Sequence, residues 1–204
     1  MTTETNQKVA TRDHVLLRWL RAVLSFFGQL AEATVVRLAL MVLMAWVYLD
    51  APDLDLSLMS VLHHRSIITH SLLPALVFLI FRREVGAAPL AGAIIGISVH
   101  MSCDMLSPMV GYGQIWLPAP FKMPLGFFSY FWIAGNALGG YFIAYRLMQR
   151  YLPEGFGKPV FIVLAGAMGA YYGIENEGYL GAFVIATLVP LLVAIHAWRG
   201  RSKV

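Results

Sequence analysis

Six side chains in the first half of the chain have the types and order of a metal-dependent hydrolytic site. They are Asp53 and Asp55 in Pro52-Asp53-Leu54-Asp55, His64 and His70 in His64-Arg65-Ser66-Ile67-Ile68-Thr69-His70-Ser71, and the pair His100 and Asp104. Three imidazoles and three carboxylates make a mixed nitrogen–oxygen donor set. Such a set suits Zn²⁺, Mn²⁺ or Fe²⁺ and is too rich in nitrogen for a dedicated Ca²⁺ cage. It serves either one ion, with the remaining carboxylates behind its ligands, or two ions bridged by an aspartate. A divalent ion held there supplies Lewis acidity and an activated water, which is what ester hydrolysis needs. Arg65 offers a planar, permanently charged donor to an anionic group, phosphate being the simplest, or else pairs with Asp53 or Asp55. Thr69 offers a hydroxyl to a ligand or to a neighbouring histidine. Arg65, Thr69 and Asp104 are therefore candidate catalytic residues. Asp53, Asp55, His64, His70, His100 and Asp104 are candidate metal ligands.

The spacing says what must position them. His100 and Asp104 are four apart, so on a helix they stack on one face. Gly92 and Gly96 precede them on the same stripe, where the lack of a side chain lets a neighbouring helix approach. Alone, His-x-x-x-Asp reads equally as a satisfied pair joining two helices; its weight comes from the other four residues. His64 and His70 do not share a helical face. With Ser66 as a helix cap, His64 falls in the preceding loop and His70 in the first turns. His63 shares the His70 face only if one helix runs through both. Asp53 and Asp55 sit in a loop, where alternate side chains point the same way if the chain is extended.

Composition sets the surroundings. The chain has 204 residues, 59% hydrophobic and 13% charged, with a mean hydropathy of +0.69. A soluble domain is about 45–50% apolar and about 25% charged, so the chain reads as an all-α, polytopic transmembrane helical bundle. Apolar runs at 34–48, 66–81, 89–106, 129–147, 159–174 and 179–198 give about six spans. Before them, residues 1–12 read as a disordered cytoplasmic tail and 13–33 as an amphipathic interfacial helix, with a first span carrying Arg18 and Arg21 as the rival. Residues 13–204 form one membrane domain, in which 108–128, rich in Pro and Gly, make a re-entrant or interfacial loop.

With a cytoplasmic N-terminus, twelve of the fifteen Lys and Arg residues fall on the inner side, Arg37 lies within a span, and only Arg65 and Lys122 remain outside. That asymmetry orients the bundle with both termini cytoplasmic. It also brings all the candidate site segments to the outer face. The net charge of +4 then belongs to the inner loops, and no nucleic-acid partner is expected. The expected partners are the lipid bilayer and a lipid or phosphate-bearing substrate. Serine elbow, Walker loop and Cys-x-x-Cys are missing, and Cys103, the single cysteine, reads as a packing residue. Tyr130, Trp132, Tyr171, Tyr172 and Trp198 read as interfacial anchors. Gly135, Gly139, Gly169 and Gly173 read as packing notches. Asn136 either bonds across helices or reaches the site, and His196 reads as structural.

Taken in order, these motifs resemble the YdjM/YbcI-like family of inner-membrane, membrane-bound metal-dependent hydrolases. The shared pattern is a Pro-Asp-x-Asp loop, a His-Arg…Thr-His-Ser segment and a helical His-x-x-x-Asp, followed by Ser107-Pro108, Gly111 and Trp116-Leu117-Pro118. Ser66-Ile67-Ile68 stands between Arg65 and Thr69, one residue more than the family spacing, with no glycine after His64-Arg65. The resemblance implies a metal-binding role for Asp53, Asp55, His64, His70, His100 and Asp104, and a bacterial inner-membrane location. Lipid phosphatases that also carry His-x-x-x-Asp have an arginine six residues before the histidine, where this chain has Ile94. Two other classes stay open: a non-enzymatic metal-binding or scaffold protein with a structural His/Asp cluster, and a metal-ion permease, which the scarcity of intramembrane carboxylates disfavours.

Overall fold

The computed structural model describes residues 34–80, 86–106 and 110–175, and beyond them 184, 188, 190–193 and 195. In chain order the helices are α1 (Thr34–Val47), α2 (Val77–Ile80), α3 (Ala88–Asp104), α4 (Phe128–Tyr151) and α5 (Gly157–Glu175). Short 3₁₀ turns occupy Pro52–Leu58, Leu73–Leu76 and Gly111–Gly113. Among the described residues β-structure is limited to isolated bridges, Ser66 with Trp116 and Trp116 with Pro124. The all-α expectation therefore holds. The expected tail and interfacial helix, Arg82, Arg83, Ser107, Pro108, His196 and Trp198 lie outside the described residues.

Helix α3 organises the rest. Its sequence is apolar on every side, and all of its residues are buried, as a helix without a polar face must be. Pro89 sits in its first turn, where a missing N–H leaves no hydrogen bond unmade. Its main packing partners are α1 and α4, with α5 also in contact. The glycine stripe permits the α1 contact: a Cβ at Gly92 would overlap the Met41 carbonyl, and one at Gly96 the Ala45 carbonyl and the backbone at Tyr48–Leu49. On α4 the notch is Gly140, against Ser98, whereas Gly135 and Gly139 face open space, contrary to the packing role expected of them. Arg37 of α1 donates from Nη1 to the Tyr151 carbonyl at 3.0 Å, placing a cation at the C-terminus of α4.

Large apolar side chains also point away from the core. Leu43 and Trp46 of α1, Phe131 and Phe142 of α4 and Val163 and Ile174 of α5 are all exposed. Among the described residues α5 alone is long and apolar enough to cross a membrane; α1 and Pro52–Leu58, bent by 45°, meet the same measure as a pair.

One expected helix is not continuous. Residues 66–72 form turns, and helical geometry begins only at Leu73. The reason is Pro74, which has no N–H to give the His70 carbonyl and restricts the residue before it; upstream, the Ser66 N–H goes to Asp55 Oδ2 at 2.8 Å and the Ile67 N–H to the Trp116 carbonyl at 2.9 Å. Nor is the aspartate segment an extended loop; it is the 3₁₀ turn Pro52–Leu58, which buries Asp55.

Candidate metal centre

The last turns of α3 carry His100 and Asp104, and their stacking brings His100 Nε2 to 3.3 Å from Asp104 Oδ2. His100 Nδ1 lies 2.8 Å from the Leu49 carbonyl and 2.6 Å from the Tyr172 hydroxyl. A carbonyl only accepts, so Nδ1 carries a hydrogen and Nε2 is the ring atom turned to the cluster. Leu49 lies two residues past the end of α1, close against Gly96.

The turn at 66–72 supplies His70, which is fully buried. Its Nε2 lies 3.3 Å from the same Asp104 Oδ2, and its Nδ1 3.3 Å from Asp55 Oδ2. That Asp55 oxygen also accepts from the Ser66 N–H at 2.8 Å and the Thr69 hydroxyl at 2.6 Å. Burial alone would raise the Asp55 carboxyl; the bonds from His64, His70, Thr69 and Ser66 outweigh it and hold it well below the usual carboxylate range. Trp132 of α4 donates from Nε1 to the His70 carbonyl at 2.8 Å. Asn136 accepts the Leu72 N–H at 3.2 Å and donates to the Trp132 carbonyl.

Arg65 closes the other side of Asp104. Its Nη2 donates to Asp104 Oδ1 at 2.7 Å and its Nη1 to the Gly113 carbonyl at 2.8 Å. The side chains are 9% and 6% exposed, so the pair is buried. Its carboxylate partner is Asp104, and not Asp53 or Asp55, which the sequence offered as the alternative to an anionic ligand. Arg65 and His63 both occupy the left-handed backbone region, with φ of 53° and 69°, at a cost of order 1–3 kcal/mol each. This backbone sends His63 outward, where its ring stacks on Trp116 at 3.9 Å. His63 thus stands apart from the cluster, and His64, 3.4 Å from Asp55 Oδ1, belongs to it.

Three buried atoms converge without a hydrogen-bond partner among the described residues: His70 Nε2, His100 Nε2 and Asp104 Oδ2. Buried polar atoms are nearly always paired. Around a tetrahedral ion with bonds of about 2.0–2.2 Å, ligand atoms lie about 3.3–3.6 Å apart, which matches the 3.3 Å from each imidazole to the carboxylate. Asp53 adds a further oxygen, 3.8 Å from His100 Nε2. Asp53, His70 and His100 each offer a ligand atom within 4.8 Å of the others, as do Asp53, Asp55 and His64. These groups have the geometry to hold a metal ion.

All six candidate ligands, with Arg65 and Thr69, are therefore brought together. Thr69 serves Asp55. Lys122 is exposed on the following loop. Sequence reasoning missed Trp132, Tyr172, the Leu49 and Gly113 carbonyls, and the choice made by Asn136. Tyr172 is buried and Trp132 half-buried, each with its polar tip turned onto the site's histidines, a different position from the interfacial belt expected for them. The available signal was one polar atom on an otherwise apolar ring, which reads equally well either way. Set against known protein families, curated proteins and solved structures, the chain matches none.

Proposed function

We propose that the chain is a membrane-embedded, metal-dependent hydrolase of the YdjM/YbcI-like kind. It acts on a phosphoester or lipid-linked substrate at the extracytoplasmic face of a bacterial inner membrane, through about six spans with both termini cytoplasmic. The observation that carries the reading is the convergence of His70 Nε2, His100 Nε2 and Asp104 Oδ2, buried and without a hydrogen-bond partner among the described residues. Each such atom costs about 1–3 kcal/mol when nothing is bound, and three at one point favour a ligand there over a purely structural network. The outward apolar faces of α1, α4 and α5 and the charge asymmetry support the membrane part.

When bound, Zn²⁺, Mn²⁺ or Fe²⁺ supplies Lewis acidity and an activated water. The chain does the rest. His70 and His100 present Nε2 because Asp55 and the Leu49 carbonyl take their Nδ1 hydrogens, the arrangement that fixes ring orientation at metal sites. Arg65 holds Asp104 by Oδ1 and leaves Oδ2 free, which makes it a positioning residue instead of the direct anion receptor that its charge suggested. Asp53 and His64 stand at the rim, with side chains 36% and 23% exposed, while His70 and His100 are at most 2% exposed. Substrate arrives over that rim.

The test uses the full-length protein, purified in detergent with Zn²⁺ or Mn²⁺ present. Bound metal is counted by mass spectrometry and phosphate release is followed with phosphatidic acid and p-nitrophenyl phosphate. The expected result is bound metal that His100→Ala and Asp104→Asn lose while keeping helical circular dichroism, with turnover lost in parallel. A wild-type metal content near zero would refute the reading. Metal without turnover on these and other lipid phosphates would favour the non-enzymatic metal-binding alternative. Orientation is checked by labelling cysteines placed at Ser57 and Gly200, of which only the first should react from outside.

A further inference from the structure

Asp53 belongs to both ligand groups in the centre, the one with His70 and His100 and the one with Asp55 and His64. We propose that the centre holds two divalent ions with Asp53 as the shared ligand, one ion at His70, His100 and Asp104 and the other at Asp55 and His64. This rests on the metal-dependent reading above and deepens it.

Three observations support it. First, both groups draw their donors together to within 4.8 Å, and metals in two-ion hydrolytic sites stand about 3.5–4 Å apart, a gap that one bridging carboxylate spans. Second, Asp55 divides its oxygens between two tasks. Oδ2 takes the Ser66 amide, the Thr69 hydroxyl and His70, while among the described residues Oδ1 meets His64, at a long 3.4 Å. The buried carboxylate therefore keeps one weakly engaged oxygen turned toward the rim.

Third, the charges need a second cation if the substrate is a phosphate. Among the described residues of the centre, Asp53, Asp55 and Asp104 carry three negative charges against the one permanent positive charge of Arg65, whose Nη1 and Nη2 are already engaged with Gly113 and Asp104. Metal-ligating imidazoles are neutral. One divalent ion brings the centre to zero, a charge with no pull on an anion. A second leaves two positive charges, the match for a phosphate monoester dianion. The anion-binding role that Arg65 does not fill thus passes to the rim ion, next to the most exposed ligands.

The experiment loads the full chain, purified in detergent micelles, with Mn²⁺, counts bound ions, and records the electron paramagnetic resonance spectrum. Two Mn²⁺ per chain with an exchange-coupled spectrum are expected. His64→Ala should halve the count and give the six-line spectrum of an isolated ion, and His64→Gln, which keeps the side-chain bulk, should do the same if the alanine variant folds poorly. One Mn²⁺ per chain in the wild type, unchanged in the His64 variants, overturns the two-ion inference and leaves the hydrolase reading standing. Two ions persisting in a folded His64 variant overturn the ligand assignment. No bound Mn²⁺ at all removes both.

Discussion

Replacing Arg65 by Met tests how Asp104 is held. Met retains the left-handed backbone penalty, since neither side chain is glycine, so the comparison isolates the guanidinium. In metal-free protein the substitution leaves a carboxylate that is 6% exposed with no permanent cation beside it, only the imidazoles of His70 and His100. Breaking a buried pair from one side costs about 3–5 kcal/mol. With an ion on Oδ2, the carboxylate keeps a cationic partner, and what is lost is chiefly a hydrogen bond to a charged group, about 1.5–3 kcal/mol. The variant should therefore lose roughly 2 kcal/mol more stability when stripped than when loaded. By linkage its metal affinity should rise about 30-fold, since 1.4 kcal/mol is a factor of ten. The assay is unfolding in mixed micelles, with chelator and with saturating Mn²⁺, alongside a chelator-competition titration. Equal losses in the two states would show that Asp104 Oδ2 does not face the ion and would refute the reasoning. A direct substrate-binding role for Arg65 predicts the contrary pattern: unchanged metal coupling and a raised KM.

Other predictions follow from the same geometry. Tyr172→Phe removes the hydroxyl 2.6 Å from His100 Nδ1 but leaves the Leu49 carbonyl, so metal affinity should fall about 10-fold, the low end for supporting residues; unchanged affinity by competition titration would make Tyr172 a packing residue only. Gly96→Ala pushes a methyl into the α1 backbone and should cost about 1–3 kcal/mol in thermal unfolding, together with weaker metal binding as Leu49 shifts. Gly135→Ala, facing open space on α4, should instead stabilise by about 0.5–1 kcal/mol. In chelated protein, the low folded pKa of Asp55 means that its contribution is full above its unfolded pKa, near 4, and is lost as pH falls through the folded value. The stability gap between wild type and Asp55→Asn should thus hold steady from pH 8 to 5 and narrow only in stronger acid.

The helical parts of the site were legible because one periodicity determined them. His100 and Asp104 share a face by their spacing alone, and Gly92 and Gly96 announced the close approach of α1. What escaped the sequence depends on partners distant in the chain. The turn that holds His70 is tied through the Ser66 and Ile67 amides to Asp55 and Trp116. Arg65 found Asp104 because the backbone turns left-handed at Arg65, in a residue type that rarely does so. Gly135 and Gly139 have the same spacing as Gly92 and Gly96, yet they face outward; spacing finds a stripe without telling what lies opposite. Trp132 and Tyr172 looked like membrane anchors because an aromatic ring with a polar tip suits either place.

The complete burial of α3 has a consequence for the order of synthesis. This helix leaves the ribosome after α1 but before α4 and α5, the elements that cover its remaining sides. Until they arrive it is an apolar segment of seventeen residues with His100 and Asp104 at its trailing end, covered only by the elements that precede it. Tyr172, which touches His100, is translated near the end of α5. The nascent chain therefore carries all six candidate ligands before the two helices that complete the cover of α3 are made, and the last support to reach His100 is the Tyr172 hydroxyl.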